Sequence, residues 1–286
     1  MATSSSQTNL TLHARGKTLD LSTPRVMGIL NVTPDSFSDG GLYYAPDQAI
    51  EHAGRMISDG ADIIDIGGES TRPGSEPVSA AEQLERVLPI LKRIRKEHPD
   101  IILSVDTTDY EVAESSLKHG AHIINDVSGL QKSPEIAELC AGYDAGLVIM
   151  HSKGDPKTMQ VNPVYDNVVE EVYDFLEEKS AYASGTGVRN IIVDPGIGFG
   201  KNLDHNLKLL AHLHRFTNLG YPVLIGASRK SLISNLLGDR PMDERLPATL
   251  AIHYDAMMRG DTILRVHDVK EARDTIQFFQ AIRSHQ

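Results

Sequence analysis

Arg265 and His267 stand two residues apart at the end of the apolar run Ile263-Leu264-Arg265-Val266. A strand's side-chain repeat of two points both the same way, so a planar donor fork and an imidazole serve one spot. Lys230 follows Ser228-Arg229, where the run Val223-Leu224-Ile225 gives way to the helical stretch Ser231-Leu232-Ile233. A helix start offers unpaired N–H groups and partial positive charge. Together these groups suit a phosphate or diphosphate; each taken alone reads equally well as surface charge or a helix cap. Other runs end in oxygens: Asp106 after Ile101-Ile102-Leu103-Ser104-Val105, Asn125 after Ile123-Ile124, and Asp194 after Ile191-Ile192-Val193. A carboxylate accepts two hydrogen bonds from a planar N–C–NH2 edge, so three such groups in one well suit a flat, amine-bearing heterocycle. The same oxygens could hold Mg2+ or cap helices. Asp65, after Ile63-Ile64, could instead orient a loop.

Asn31, after Val26-Met27-Gly28-Ile29-Leu30, is either one neutral ligand of a diphosphate-bound Mg2+ or part of an ordinary turn. The stretch Asp194-Pro195-Gly196-Ile197-Gly198-Phe199-Gly200-Lys201 fits neither the dinucleotide fingerprint nor the phosphate-cradling loop of nucleotide hydrolases. Its glycines permit a sharp bend that leaves Phe199 facing a pocket. His151, after Leu147-Val148-Ile149-Met150, has no second histidine at a ligand spacing, which favours structural hydrogen bonding. Ser228 carries no local nucleophile signature.

Positioning these groups is the task of eight apolar runs, each followed by a helical stretch. Continuous branched runs suit strands buried on both faces. Eight of them predict a single-domain α/β chain, a closed (β/α)8 TIM barrel with its chemistry at the C-terminal strand ends. Helical faces recur at Ala49, Ile50, Ala53, Met56 and Ile57, at Leu84 to Ile94 behind a capping box Ser79-Ala80-Ala81-Glu82, at Val168 to Leu176, and at Leu203 to Leu213. Long connections span 31–46, 67–78 and 151–163, and long loops in a compact domain usually bind or cover something. Leu10-Thr11-Leu12-His13 and Thr18-Leu19-Asp20-Leu21 alternate around Arg15-Gly16-Lys17. They predict a β-hairpin capping the end away from the chemistry. The expected division is residues 1–22 for tail and hairpin, and 23–286 for the barrel.

The 286 residues suffice for one such barrel, and a formal net charge of −11 argues against a nucleic-acid or acidic-membrane surface. Cys140 is the only cysteine, so neither an intrachain disulfide nor a cysteine metal cluster is possible. Met1 to Leu10 lacks a basic start and an apolar centre, and no apolar stretch reaches spanning length. A frayed start and a cytoplasmic location are expected.

The segments Met27 to Gly41, Asp65 to Gly74, Ser104 to Thr107, Ile124 to Val127, Asp194 to Lys201, Gly226 to Ser231 and Arg265 to Val269 together resemble the dihydropteroate synthases, a family of pterin-binding enzymes. The resemblance runs from Val26 to about Gln280. It implies condensation of (7,8-dihydropterin-6-yl)methyl diphosphate with 4-aminobenzoate to 7,8-dihydropteroate and diphosphate, in folate biosynthesis. By the same resemblance Asp106, Asn125, Asp194 and Lys230 form the pterin well, with Met150 as its wall. Asn31, Arg265 and His267 meet the diphosphate, with Mg2+ at Asn31. Thr71, Arg72, Pro73, Phe199, Lys230 and Ser231 meet the aminobenzoate, and Asp35 supplies a first-loop acid. Competing sulfonamides and a homodimer built through the last helices are also implied. Ser152, Asp109-Tyr110 and Pro247-Ala248 depart from the commoner family pattern. Rival readings are a pterin-dependent methyltransferase and a pterin-binding protein without turnover.

Overall fold

Isoleucine, valine and leucine in unbroken runs cannot face water on either side, and their strands lie inside a ring of helices. The computed structural model describes residues 11–33, 45–70, 75–154, 159, 161, 163–260 and 263–285. An antiparallel hairpin, β1 (Thr11–Ala14) and β2 (Lys17–Asp20), comes first. The barrel strands are β3 (Arg25–Asn31), β4 (Ile63–Gly67), β5 (Ile102–Asp106), β6 (Ile123–Asp126), β7 (Gly146–Met150), β8 (Asn190–Asp194), β9 (Leu224–Ile225) and β10 (Ile263–Val266). They pair in parallel in the order β8-β7-β6-β5-β4-β3-β10-β9. A single bridge, Val193 to Val223, joins β8 to the residue before β9 and nearly closes the cylinder. The helices are α1 (Ala45–Ser58), α2 (Ala80–Glu97), α3 (Tyr110–Lys118), α4 (Ile136–Tyr143), α5 (Val168–Gly185), α6 (Leu203–Ala211), α7 (His214–Thr217), α8 (Ser231–Leu237), α9 (Leu246–Met258) and α10 (Val269–Arg283).

Period two divides every strand between two tasks. On β4, Ile64 and Ile66 join the apolar layer beneath the helices. Ile63 faces the barrel axis, in one cluster with Met27, Ile102, Ile123, Val148, Ile192, Leu224 and Ile263. Leu12, Ala14 and Leu21 of the hairpin region complete that cluster from below. Each buried leucine here contributes roughly 1.5–3 kcal/mol and the alanine less, so the hairpin is a plug bound by apolar contact. Its turn, Arg15-Gly16, has φ of 49° and 77°, the twist that a two-residue hairpin turn requires. The Arg15 guanidinium donates to the carbonyls of Leu117 and Ala121, which fixes the hairpin tip against the end of α3. With the lower end plugged, substrate access is left to the other end.

Two local expectations need correction. Ser79 caps α2 by accepting from the Glu82 N–H, but the Glu82 carboxylate turns to Arg86 instead of completing the box. The helix expected to run from Leu203 to Leu213 stops at Ala211, and a reciprocal box between Asn202 and His205 starts it. Two of the family departures have plain local roles. Asp109 caps α3 by accepting from Glu111 and Val112 N–H groups, and Pro247 lies in the first turn of α9. Among the described residues, no helix is long and apolar enough to cross a membrane.

Candidate active site

The inward ladder of each strand is apolar low in the barrel and polar high. Along β4 it reads Ile63, Asp65, Gly67; along β5, Ile102, Ser104, Asp106. The register sets Asp65 beside Ser104, Gly67 beside Asp106, and Asp106 beside Asn125. Asp65 is therefore no strand end: β4 continues through Ile66 to Gly67, and Asp65 is fully buried one inward step below the rim. It does not orient a loop. Its Oδ2 accepts from Arg265 Nε at 2.7 Å and from Asn125 Nδ2 at 3.0 Å.

Arg265 is the hub of the mouth. Besides Asp65, its Nη2 donates to Asp106 Oδ2 at 2.8 Å, so one guanidinium bridges strands β4 and β5 from β10. Burial alone would lower its pKa, but Asp65 and Asp106 outweigh burial and raise it. Burial also pushes Asp106 up to about 7, with Arg265 pulling the other way and Asp65 and Asp126 adding to the rise. Asp194, at the end of β8, is raised by burial too, against the pull of Lys230 and an N–H from Gly196 at 2.7 Å. Asp126 is taken up locally: it accepts from Ser128 and Leu130 in the turn after β6.

Lys230 is the N-cap residue of α8, and Ser231 is that helix's first residue. The Lys230 ammonium donates to the Ile197 carbonyl and lies 4.4 Å from the Phe199 ring centre. A methyl group on Gly226 would sit 3.8 Å from both Asp194 Oδ2 and Lys230 Nζ, so acid and ammonium flank one bare stretch of backbone. Burial pulls Lys230 down to about 8, resisted by Asp194. His267 is held by Ser228: the serine hydroxyl accepts the His267 backbone N–H at 3.2 Å and lies 3.0 Å from its Nδ1. Arg229 lines the cleft, but its guanidinium is taken up elsewhere. It adopts φ 56° and forks onto Asp268, while Thr249 accepts its N–H and Arg245 donates to its carbonyl.

A cleft of about 480 Å3 opens above these groups, its wall including Asn31, Phe199, Lys230, Ser231, Arg265 and His267. Asp106, Asn125 and Asp194 lie beneath it, nearly buried. Met150 is buried at the end of β7. The structure thus brings Asn31, Asp106, Asn125, Met150, Asp194, Phe199, Lys230, Ser231, Arg265 and His267 to one end of the barrel. Asp35, Thr71, Arg72 and Pro73 lie outside the described residues. Sequence reasoning did not assign Asp65, Met159, Met242 or Arg245 to the site, and the last three line the cleft. Apolar patterning carries no signal for them, since Asp65 interrupts its own strand and Met159 comes from a long connection. Among the described residues no group of three His, Cys, Asp or Glu side chains is arranged to hold a metal. Asn31 therefore offers one neutral oxygen beside Gly67, fitting a cation whose other ligands come from a phosphate and water.

A plugged barrel with buried carboxyls beneath a cluster of cations defines a pocket for a flat, polar ring joined to an anion. Residues 27–267 match the pterin binding enzyme family, and the chain belongs to that family. Over 275 residues it is 48% identical to the dihydropteroate synthase of Escherichia coli (strain K12), with 96% of each chain covered. A Yersinia pestis dihydropteroate synthase solved with a sulfonamide drug matches at TM-score 0.90 and 46% identity, covering 96% of this chain and 100% of that one. A Xanthomonas albilineans dihydropteroate synthase solved with 4-aminobenzoic acid matches at TM-score 0.91 and 43% identity, covering 96% and 99%.

Proposed function

We infer that this chain carries out the dihydropteroate synthase reaction. It joins (7,8-dihydropterin-6-yl)methyl diphosphate to 4-aminobenzoate and releases 7,8-dihydropteroate and diphosphate. The observation that supports this most is the junction at Arg265, where buried acids and the cation cluster meet at one barrel mouth. Identity of 48% across nearly the whole chain leaves neither a methyltransferase nor a silent pterin binder with an observation in its favour. The direct test mixes both substrates with enzyme and Mg2+ and follows diphosphate. Diphosphate release without formation of 7,8-dihydropteroate when 4-aminobenzoate is present, or no release at all, would sink the reading.

The chemistry breaks a bond from the methylene carbon to a diphosphate oxygen and forms one to the aromatic nitrogen, which sheds a proton. An aromatic amine is a weak nucleophile, so departure of diphosphate sets the pace. Asp106, Asn125 and Asp194 would grip the pterin's amine-bearing edge, with Met150 as the wall. Arg265, His267 and the start of α8 would meet charge growing on the diphosphate. Asn31 would hold Mg2+, which when bound supplies further charge neutralisation to the leaving group. Phe199, Lys230 and Ser231, with Thr71, Arg72 and Pro73, would seat the aminobenzoate, and Asp35 would offset positive charge on the pterin.

Two ionisations set an expected pH profile. Asp106 must be ionised to accept from the pterin, so kcat/KM for the pterin substrate should rise as pH passes about 7. Lys230 must keep its proton, so the same parameter should fall as pH passes about 8. A flat profile from pH 6 to 9 would contradict these roles.

The homodimer belongs to the same proposal. Phe278 is 73% exposed on α10, and Ile282, one turn on, is 48% exposed. Large exposed apolar residues side by side support a contact between copies. Sedimentation velocity on the full chain tests it, and a lone monomer peak at micromolar concentration counts against it. A cytoplasmic location is supported by Cys140, a single buried thiol that needs no oxidising environment.

A further inference from the structure

Lys201 is the largest fully enclosed side chain among the described residues, at 1% exposure. Its Nζ lies 2.9 Å from His151 Nδ1, 2.9 Å from the Gly196 carbonyl, 2.9 Å from the Phe199 carbonyl and 3.3 Å from the His151 carbonyl. Burial pulls the Lys201 amine well below the ordinary lysine range, and its N–H donors meet four acceptors, as a buried polar group requires. Burial keeps the His151 ring neutral, its pKa pushed down to about 2, so Nδ1 remains able to accept. A methionine would fill the same space. What lysine adds is direction: it ties the residue after β7 to the turn after β8.

That turn, residues 196–200, is the one that carries Phe199. Glycine is required in it, because a methyl group on Gly196 would lie 1.9 Å from the His151 carbonyl oxygen. Asn206 accepts the Gly198 N–H at 2.7 Å, and Tyr165 donates to the Gly200 carbonyl at 2.9 Å. The Gly196 and Phe199 carbonyls receive Lys201, while the Ile197 carbonyl between them receives Lys230. One short turn is thus pinned by two lysine amino groups, one inside the barrel wall and one at the cleft.

We propose that Lys201 is a positioning residue for the second substrate: by holding the Gly196 and Phe199 carbonyls it sets where the Phe199 ring and the Lys230 ammonium stand. The proposal rests on assigning those two residues to the aminobenzoate side. Lys201 touches no substrate. It acts through the turn, and small misplacements of a binding group are enough to change turnover.

The chain contains no tryptophan, so Phe199→Trp creates a single-tryptophan reporter at the turn, read by exciting tryptophan alone. Adding Lys201→Met to that reporter should raise its acrylamide quenching constant about twofold or more, because the ring is no longer held. In the parent chain, Lys201→Met should raise KM for 4-aminobenzoate about tenfold while KM for the pterin diphosphate moves less than about threefold. Lys201→Gln, neutral but still a donor, should fall between the two. If the reporter loosens while both KM values hold, the aminobenzoate assignment fails and the positioning of the turn stands. If the reporter is unchanged in a folded variant, the proposal is overturned even where activity drops. If neither variant folds, Lys201 is a stability residue and the proposal is equally overturned.

Discussion

Arg265→Ala is expected to lower kcat/KM for the pterin diphosphate by about 10^3-fold or more, the scale on which removing a preorganised charge-stabilising donor acts. The same change should lower folding stability by about 3–5 kcal/mol, because removing one member of a buried ion pair strands the other. Here two carboxylates are stranded, Asp65 at full burial and Asp106 nearly so. Arg265→Lys should rescue little, since one ammonium cannot reproduce a fork that reaches two acids from different nitrogens. Lys208→Ala is the control: its pair with Asp204 on α6 is exposed and should be worth under about 1 kcal/mol. Urea unfolding of the parent across pH adds a signed check. The folded-state pKa of Asp106, about 7, stands above its ordinary 3.8. Its contribution to stability is therefore complete below the ordinary value and is lost as pH rises through about 7. Without Arg265, whose charge restrains that rise, the loss should extend to higher pH. An alanine variant with near-parental turnover and unfolding midpoint would remove the hub from the account.

Asp194→Asn should weaken binding of a pterin analogue by roughly 10^2–10^4-fold, as two hydrogen bonds to a charged group are each worth about 1.5–3 kcal/mol. The substitution keeps shape but exchanges one acceptor oxygen for a donor. The backbone N–H of Gly196 already claims Oδ1, so the retained oxygen stays with the turn and the new NH2 faces the ligand's own donors. The effect should also reach Lys230, whose proton Asp194 helps to retain. The alkaline limb of the pH profile should move to lower pH. Titration calorimetry with the pterin analogue reads the first effect and a kcat/KM profile the second. Parental affinity in this variant would mean that the acid does not hold the heterocycle.

Much of this arrangement was legible in the sequence because a barrel turns strand order into a ring. Parity was enough to pair Arg265 with His267, and run ends were enough to locate Asp106, Asn125 and Asp194. What stayed hidden depended on contacts distant in sequence. Nothing near Asp65 signals a guanidinium 200 residues away, and the acid itself cut the apolar run short, so β4 read as ending two residues early. Arg265 read as a free anion-binding fork, whereas two of its nitrogens are already engaged by acids. Ser228 offered no nucleophile pattern, but its service to His267 needed the fold to be seen. Lys201 read as the tail of a glycine-rich turn, because lysine is rarely fully buried and patterning assigns it to water.

The short stave of the cylinder is β9: its two residues pair with β10, and among the described residues a lone bridge, Val193 to Val223, joins its start to β8. Residues 226–230 therefore owe their course to Thr249, Arg245 and Asp268 rather than to sheet pairing. The starts of helices α9 and α10 consequently act as a tuning collar, and amino-acid drift in that collar can reshape the cleft's lip while the rest of the cylinder stays as it was.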